Sequence, residues 1–255
     1  MGQLRSGILN LQKVLLETEP KIKVVEDTLS SYGDRVSDLG RKCDQGYDVM
    51  YLYLIEKFKK TGTTPAAQGK KKLQEIMDPN IAGNIKGIQQ WTADLKGQIA
   101  KLNAAQKEST EKLLATLKSA ETQAVQLKAL ADKKKDKLFK SSKYKDKIKG
   151  YLAALDAVNG LLKKQAEGVK ASQSLSFNDS WVDKNFKISP DMTVDNIKDR
   201  ASMDLNTSLT LYEQNKTQIN SQVRKWRDEY KSVPGQLAVM KKWIDDADGM
   251  EAEVH

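Results

Sequence analysis

Residues 4–58, LRSGILNLQKVLLETEPKIKVVEDTLSSYGDRVSDLGRKCDQGYDVMYLYLIEKF, carry apolar side chains at Leu4, Ile8, Leu11, Leu15, Ile22, Val25, Leu29, Tyr32, Val36, Leu39 and Cys43. The steps alternate four and three, and Thr18 is the only polar residue in register. That period belongs to a heptad seam, one apolar stripe on a helix, and strands do not produce it. Past Cys43 the seam continues through Tyr47, Met50, Leu54 and Phe58, with two successive four-residue steps that relax a left-handed supercoil. Pro20 predicts a bend, or a short break near Thr18–Glu19.

Residues 61–72, TGTTPAAQGKKK, interrupt the pattern with Gly62, Pro65 and Gly69 and predict a linker, with a short helical piece at 73–77. Asp78-Pro79 is a helix start, because Asp caps free N–H groups and Pro suits the first turn. A second seam follows at Ile81, Ile85, Ile88, Leu95, Ile99 and Leu102. It thins at Gln106 and Ser109 and resumes at Leu113, Leu117, Ala120, Ala124 and Leu127. Gly83, Gly87 and Gly97 weaken this helix and suggest close approach of a neighbour. A corner is expected at Ser141-Ser142, although Tyr144, Ile148, Tyr151, Leu155, Val158 and Leu162 would also fit one continuous helix. Residues 172–192 lose the helical period, and turn residues there separate short alternating pieces at Leu175/Phe177 and Phe186/Ile188, as in a loop or small β-hairpin. A fourth seam runs Val194, Ile197, Ala201, Leu205, Tyr212, Ile219, Val223, Trp226 and Tyr230. Pro234-Gly235 should end it, before a short last helix and a frayed acidic tail.

The fold class expected is all-α: an elongated bundle of long antiparallel amphipathic, coiled-coil-like helices with one short non-helical aromatic insert. Its parts are the N-terminal heptad helix 1–60, a linker 61–78, a helical hairpin with a basic corner 79–171, the aromatic insert 172–192, and C-terminal helices with an acidic tail 193–255. Charged residues at 30% and aromatics at 6% suit thin bundles whose helices stay partly wet. Each seam is too narrow to fold alone and must meet another, in the same chain or in a second copy.

The chemistry-bearing residues argue against an enzyme. The only histidine is His255, which leaves no histidine triad or metal site, and no Gly-rich phosphate loop occurs. Cys43 sits in the seam, where it reads as a small buried apolar group. No cofactor is expected. The opening residues lack a secretory signal and no stretch approaches ~18 apolar residues, so a cytoplasmic location, or export without a cleavable signal peptide, is expected. Met1-Gly2 with Ser6 matches the short myristoylation pattern, which on its own carries little.

Charge is unevenly spread. Bases and acids number ten and nine in 1–60, 22 and 11 in 61–170, and 11 and 14 in 171–255. Residues 132–149 hold nine lysines, Lys133, Lys134, Lys135, Lys137, Lys140, Lys143, Lys145, Lys147 and Lys149, against three aspartates. They read as a solvated corner, or as a patch for an acidic partner or an anionic membrane surface. Nucleic acid fits less well, since the stretch has no Arg and only Phe139 and Tyr144 to stack on bases. Phe177, Trp181 and Phe186 either cap the bundle or form an exposed docking tip.

The function expected is a coiled-coil assembly, scaffold or adaptor protein acting through protein partners, or by self-association through its seams. The alternative is a membrane-interacting helical protein: a peripheral anionic-lipid binder, or a leaderless exported effector or toxin component. In overall plan the chain resembles the rod-shaped helical proteins of bacterial secretion and of multi-component helical toxins, a likeness of shape carried by no motif.

Overall fold

The computed structural model describes residues 2–140, 143–173 and 176–254. Its helices are α1 (Gly2–Leu16), α2 (Thr18–Lys60), α3 (Pro79–Leu138), α4 (Lys145–Ser172), α5 (Ser180–Phe186), α6 (Val194–Ala201), α7 (Leu205–Tyr230) and α8 (Val233–Val254), with a 3₁₀ turn at Leu73–Ile76. No strand occurs among the described residues, and the protein is an all-α helical bundle. Contacts divide it into two units. The first comprises 1–27, 106–175 and 219–255; the second comprises 28–105 and 176–218.

The first seam is buried along its length, except that Tyr32 and Leu39 are half-buried. Thr18, its one polar member, is fully enclosed, and its hydroxyl donates to the Val14 carbonyl at 3.2 Å. The helix breaks at Glu17, slightly before the expected point, and Pro20 falls in the first turn of α2. A missing N–H costs nothing there. Gln106 and Ser109, where the second seam thins, are buried as well, and the hydroxyls of Ser109 and Thr110 donate to the Gln106 carbonyl. These hydroxyls enter the core by bonding to their own helix.

In the first unit α1 with the start of α2, α3, α4 and α8 close a ring of neighbours. Gly7 of α1 lies against Leu127 of α3, and Lys21 of α2 reaches Thr116 of α3. Lys128 of α3 pairs with Asp156 of α4, α8 packs on α4, and α1 packs on α8. The matched positions run in opposite directions along α1/α2 and α3, so these neighbours are antiparallel. The same holds for α4 and α8, where Tyr151 stacks on Trp243 at 5.4 Å and Lys147 meets Asp246.

In the second unit α2 and α3 are again antiparallel, with Cys43 near Thr92 and both Tyr53 and Lys57 on Asp78. The close-approach glycine is Gly46, where a Cβ would stand 2.6 Å from Ile88. Gly83 and Gly97 face open space, so the close approach expected of them is not seen. They lie on the wet side of α3, away from its seam. Residues 61–78 are pinned by backbone pairing. Leu73 N–H donates to Met192 at 2.8 Å, Val194 N–H to Lys71 at 3.0 Å and Asp195 N–H to Gly69 at 2.9 Å.

Three other expectations are corrected. The segment 172–192, expected as a loop or small β-hairpin, holds a short helix, α5, over Ser180–Phe186 with non-helical residues on both sides; just before it the Asn178 side-chain oxygen accepts from Ser180 N–H at 2.8 Å. Leu175 and the Ser141-Ser142 corner lie outside the described residues. The fourth seam is two helices, and α6 ends at Ala201 before α7 begins at Leu205. Pro234-Gly235 opens α8 instead of closing α7, because proline fits a first turn, and α8 stays helical to Val254.

Asp78 caps α3. One oxygen accepts from the N–H groups of Asn80 and Ile81 at 3.0 and 2.9 Å, and the other accepts from Tyr53 at 2.8 Å and from Lys57. Burial works against the charge, but these bonds win and hold the carboxyl down at about 2. A depressed carboxyl stabilises the fold above its unfolded value of roughly 3.9, and that stabilisation is lost as pH falls through the folded value. Asp78→Ala should therefore cost about 1–2 kcal/mol at neutral pH in urea unfolding. The gap should narrow as pH falls below about 4. A gap independent of pH would contradict this role.

Candidate functional site

The lysine-rich stretch covers the end of α3 and the start of α4 in the first unit. Helix α3 ends at Leu138, which is buried, and α4 starts at Lys145. Tyr144 stands before α4 with its ring buried, and Ile148 and Tyr151 continue that buried face along the helix. These anchors turn the lysines outward. Lys133, Lys135, Lys137, Lys140, Lys143, Lys145, Lys147 and Lys149 are exposed, and Lys134 is half-buried. Two ammonium groups lie over the Tyr144 ring, Lys143 at 5.0 Å and Lys147 at 5.7 Å. Lys147 also bonds Asp246 of α8 at 3.1 Å, and Tyr151 donates its hydroxyl to the same carboxylate. The Tyr151 bond, together with the lysine, holds Asp246 below the usual carboxylate range.

Phe177, Trp181 and Phe186 belong to the core of the second unit, at 3%, 2% and 1% exposure. An exposed docking tip would need these rings in solvent, and that reading is corrected here. Trp181 meets Phe186 edge-on at 6.0 Å and Tyr212 at 6.2 Å, and Phe177 lies 5.3 Å from Tyr212. A polar stripe on α3 fastens the segment. Gln89 donates to the Ile188 carbonyl, the Thr92 hydroxyl, which donates to Ile88 of its own helix at 2.7 Å, also lies 3.4 Å from the Phe186 carbonyl, and Lys96 pairs with Asp183. Asn103 bonds both backbone groups of Phe177, at 2.9 and 2.8 Å. Positions 89, 92, 96 and 103 follow the heptad step beside the apolar seam. That spacing was the available signal, and it lies on a different element from the one it fixes.

A buried charged pair in the second unit escapes sequence reasoning. Arg200 of α6 is 8% exposed. Its Nε donates to the Asn185 carbonyl at 2.6 Å, and one terminal nitrogen donates to Asp44. Its guanidinium lies 4.9 Å from the Phe186 ring centre and 5.1 Å from that of Tyr47. Burial raises the Asp44 carboxyl, and Arg200 opposes that rise. Burial also pushes the Cys43 thiol up to about 11, so it stays protonated and unreactive at neutral pH.

No protein-family model, no curated protein and no solved structure matches this chain. Among the described residues no group of three or more His, Cys, Asp or Glu side chains could hold a metal ion. No described helix is long and apolar enough to cross a membrane. In the second unit the buried polar groups near Arg200 hold aromatic rings and backbone in place. In the first unit the lysine corner presents charge to solvent.

Trp181→Ala should lower stability by roughly 3–5 kcal/mol in urea unfolding, as large-to-small changes in a core do. A variant that melts like the unmodified chain would mean that the aromatic segment stands outside the core.

Proposed function

We propose that the chain is a non-enzymatic helical scaffold or adaptor acting through protein contacts, with the α3–α4 corner as its contact surface. The observation that carries this reading is the array of eight exposed lysines on the end of α3, the start of α4 and between them, beside buried Tyr144, Ile148 and Tyr151. Flexible lysine tails would be a diffuse positive cloud. Set beside buried anchors, they concentrate positive charge at one corner that an acidic partner can match. The environment of the titratable core groups supports the non-enzymatic half of the reading. Cys43 is held as a neutral thiol, and Asp44 is engaged by Arg200.

An anionic membrane surface is the second reading. Lysine without arginine is suited to diffuse charge, which lipid headgroups accept as readily as carboxylates do. Cytoplasmic and exported settings both fit either reading.

The test replaces Lys133, Lys135, Lys137 and Lys140 with Gln, four exposed positions outside the contacts to α8. Helical content and melting should be unchanged. Capture of acidic proteins from native lysate should fall by about tenfold in affinity and fade with added salt, because exposed charges are screened over ~8 Å. Capture that ignores both substitution and salt would refute the corner as the contact surface. Loss of sedimentation with phosphatidylserine vesicles, with no change in protein capture, would favour the membrane reading.

A further inference from the structure

The α1–α2 break and the α7–α8 turn stand side by side in the first unit. The Tyr230 hydroxyl ties them, donating to the Leu15 carbonyl in the last turn of α1, where carbonyls lack helical partners. Between the two lies an open groove of about 700 Å³. Ile22 and Tyr230, both buried, form its floor, and Leu16, Pro20 and Pro234, all exposed, line its sides. Leu16 is 68% exposed, and Leu9, a heptad back on the same face of α1, is 48% exposed. An apolar surface of this kind, rimmed by charge, marks a contact site. Pro20 and Pro234 occupy the first turns of α2 and α8. Neither has an N–H to offer, so these helix starts are poor seats for an anion.

The rim charges are sorted by wall. Glu19 and Glu26 stand on α2, and Arg227 and Lys231 at the end of α7. Lys23, between the two glutamates, is the one base on the α2 side of the rim, and its flexible stem lets the ammonium reach solvent. Arg227 bonds Glu26 at 3.0 Å and closes one end of the groove. The helices pass the groove in opposite senses, so Glu19 and Lys231 both lie toward its other end. Glu19 is exposed there, and Lys231 turns to Asp228 beside it at 2.6 Å. A surface with acid on one wall, base on the other and a projecting leucine beside an apolar hollow is complementary to itself. A two-fold axis along the groove lays the α2 wall of one copy on the α7 wall of another, whereas an axis across it would set acid on acid.

We propose that the chain pairs with a second copy of itself through this groove, about a two-fold axis that runs along it. Leu16 of each copy then seats against Tyr230 and Pro234 of the other, and Glu19 of each meets Lys231 of the other. Every contact is made twice, as in any isologous pair. This goes beyond the adaptor reading and does not rest on it, because no lysine of the corner lines the groove. It also differs from association through the heptad seams, whose apolar side chains are already enclosed within one copy.

The experiment measures the dissociation constant of the pair by sedimentation equilibrium of the full chain. The unmodified chain should be a dimer at roughly 50 μM, above a constant in the micromolar range. Leu16→Asp changes an exposed position, so dichroism should show unchanged helix content. Its dissociation constant should rise roughly a hundredfold, since the substitution acts twice in a two-fold pair. Glu19→Lys and Lys231→Glu should each weaken pairing about tenfold through repulsion at both contacts. Mixed in equal amounts, these two variants should recover the unmodified constant to within about threefold, because opposite charges then meet at both contacts. A monomer at that concentration overturns the proposal. So does a dimer that Leu16→Asp leaves intact, or a mixture that pairs no more tightly than either charge variant alone. The adaptor reading fails separately, on the corner lysines.

Discussion

An apolar stripe one side chain wide along a helix has no stable place in water, and each helix here must lay its stripe on another. Burying each Leu, Ile or Val of such a stripe contributes roughly 1.5–3 kcal/mol. The stripe from Leu4 to Phe58 is enclosed nearly throughout. Its partner is the stripe from Ile81 to Leu127, and the two helices run in opposite senses. Other features depend on that pairing. It sets which face of α3 stays free for the polar residues that tie down 177–188. It also fixes the end of α3, and so where the lysine-rich stretch emerges.

Polar groups then fall into two populations with different physics. Several buried ones are matched to backbone or to one another: Thr18 to Val14, and Arg200 to Asn185 and Asp44. A lost partner there leaves a desolvated donor or charge, which is far more costly than the bond itself is stabilising. The exposed lysines at 133–149 are under no such constraint. Their mutual repulsion in solvent is mild, and it is relieved on one side by Asp246. Such groups can change partners, which is why contact is assigned to the corner and architecture to the core.

The helical fold was legible because heptad spacing is redundant: more than ten residues in one register outweigh Pro20 and Thr18. Asp78 was legible because a cap is a local bond within three residues. The lysine corner was legible as a charge run between two periodic segments. The aromatic insert was misread, since its shape is imposed from α3 by Gln89, Thr92, Lys96 and Asn103, across roughly 70 to 100 residues of chain. Arg200 was invisible for the same reason. A lone arginine three residues beyond Ile197 looks like a solvated charge until Asp44 and the ring of Phe186 are seen around it. The α6–α7 break was hidden because Ala201 and Leu205 keep the seam spacing across it.

The seam is tested most directly by a matched pair of substitutions in α2 followed by thermal unfolding. Leu29 is 2% exposed, whereas Val24, five residues earlier on the same helix, is 51% exposed. An aspartate at each adds the same charge to very different surroundings. Leu29→Asp should cost several kcal/mol and lower the melting temperature sharply, while Val24→Asp should stay within about 0.5 kcal/mol of the unmodified chain. Equal melting of the two variants would contradict the seam pairing on which the fold is built.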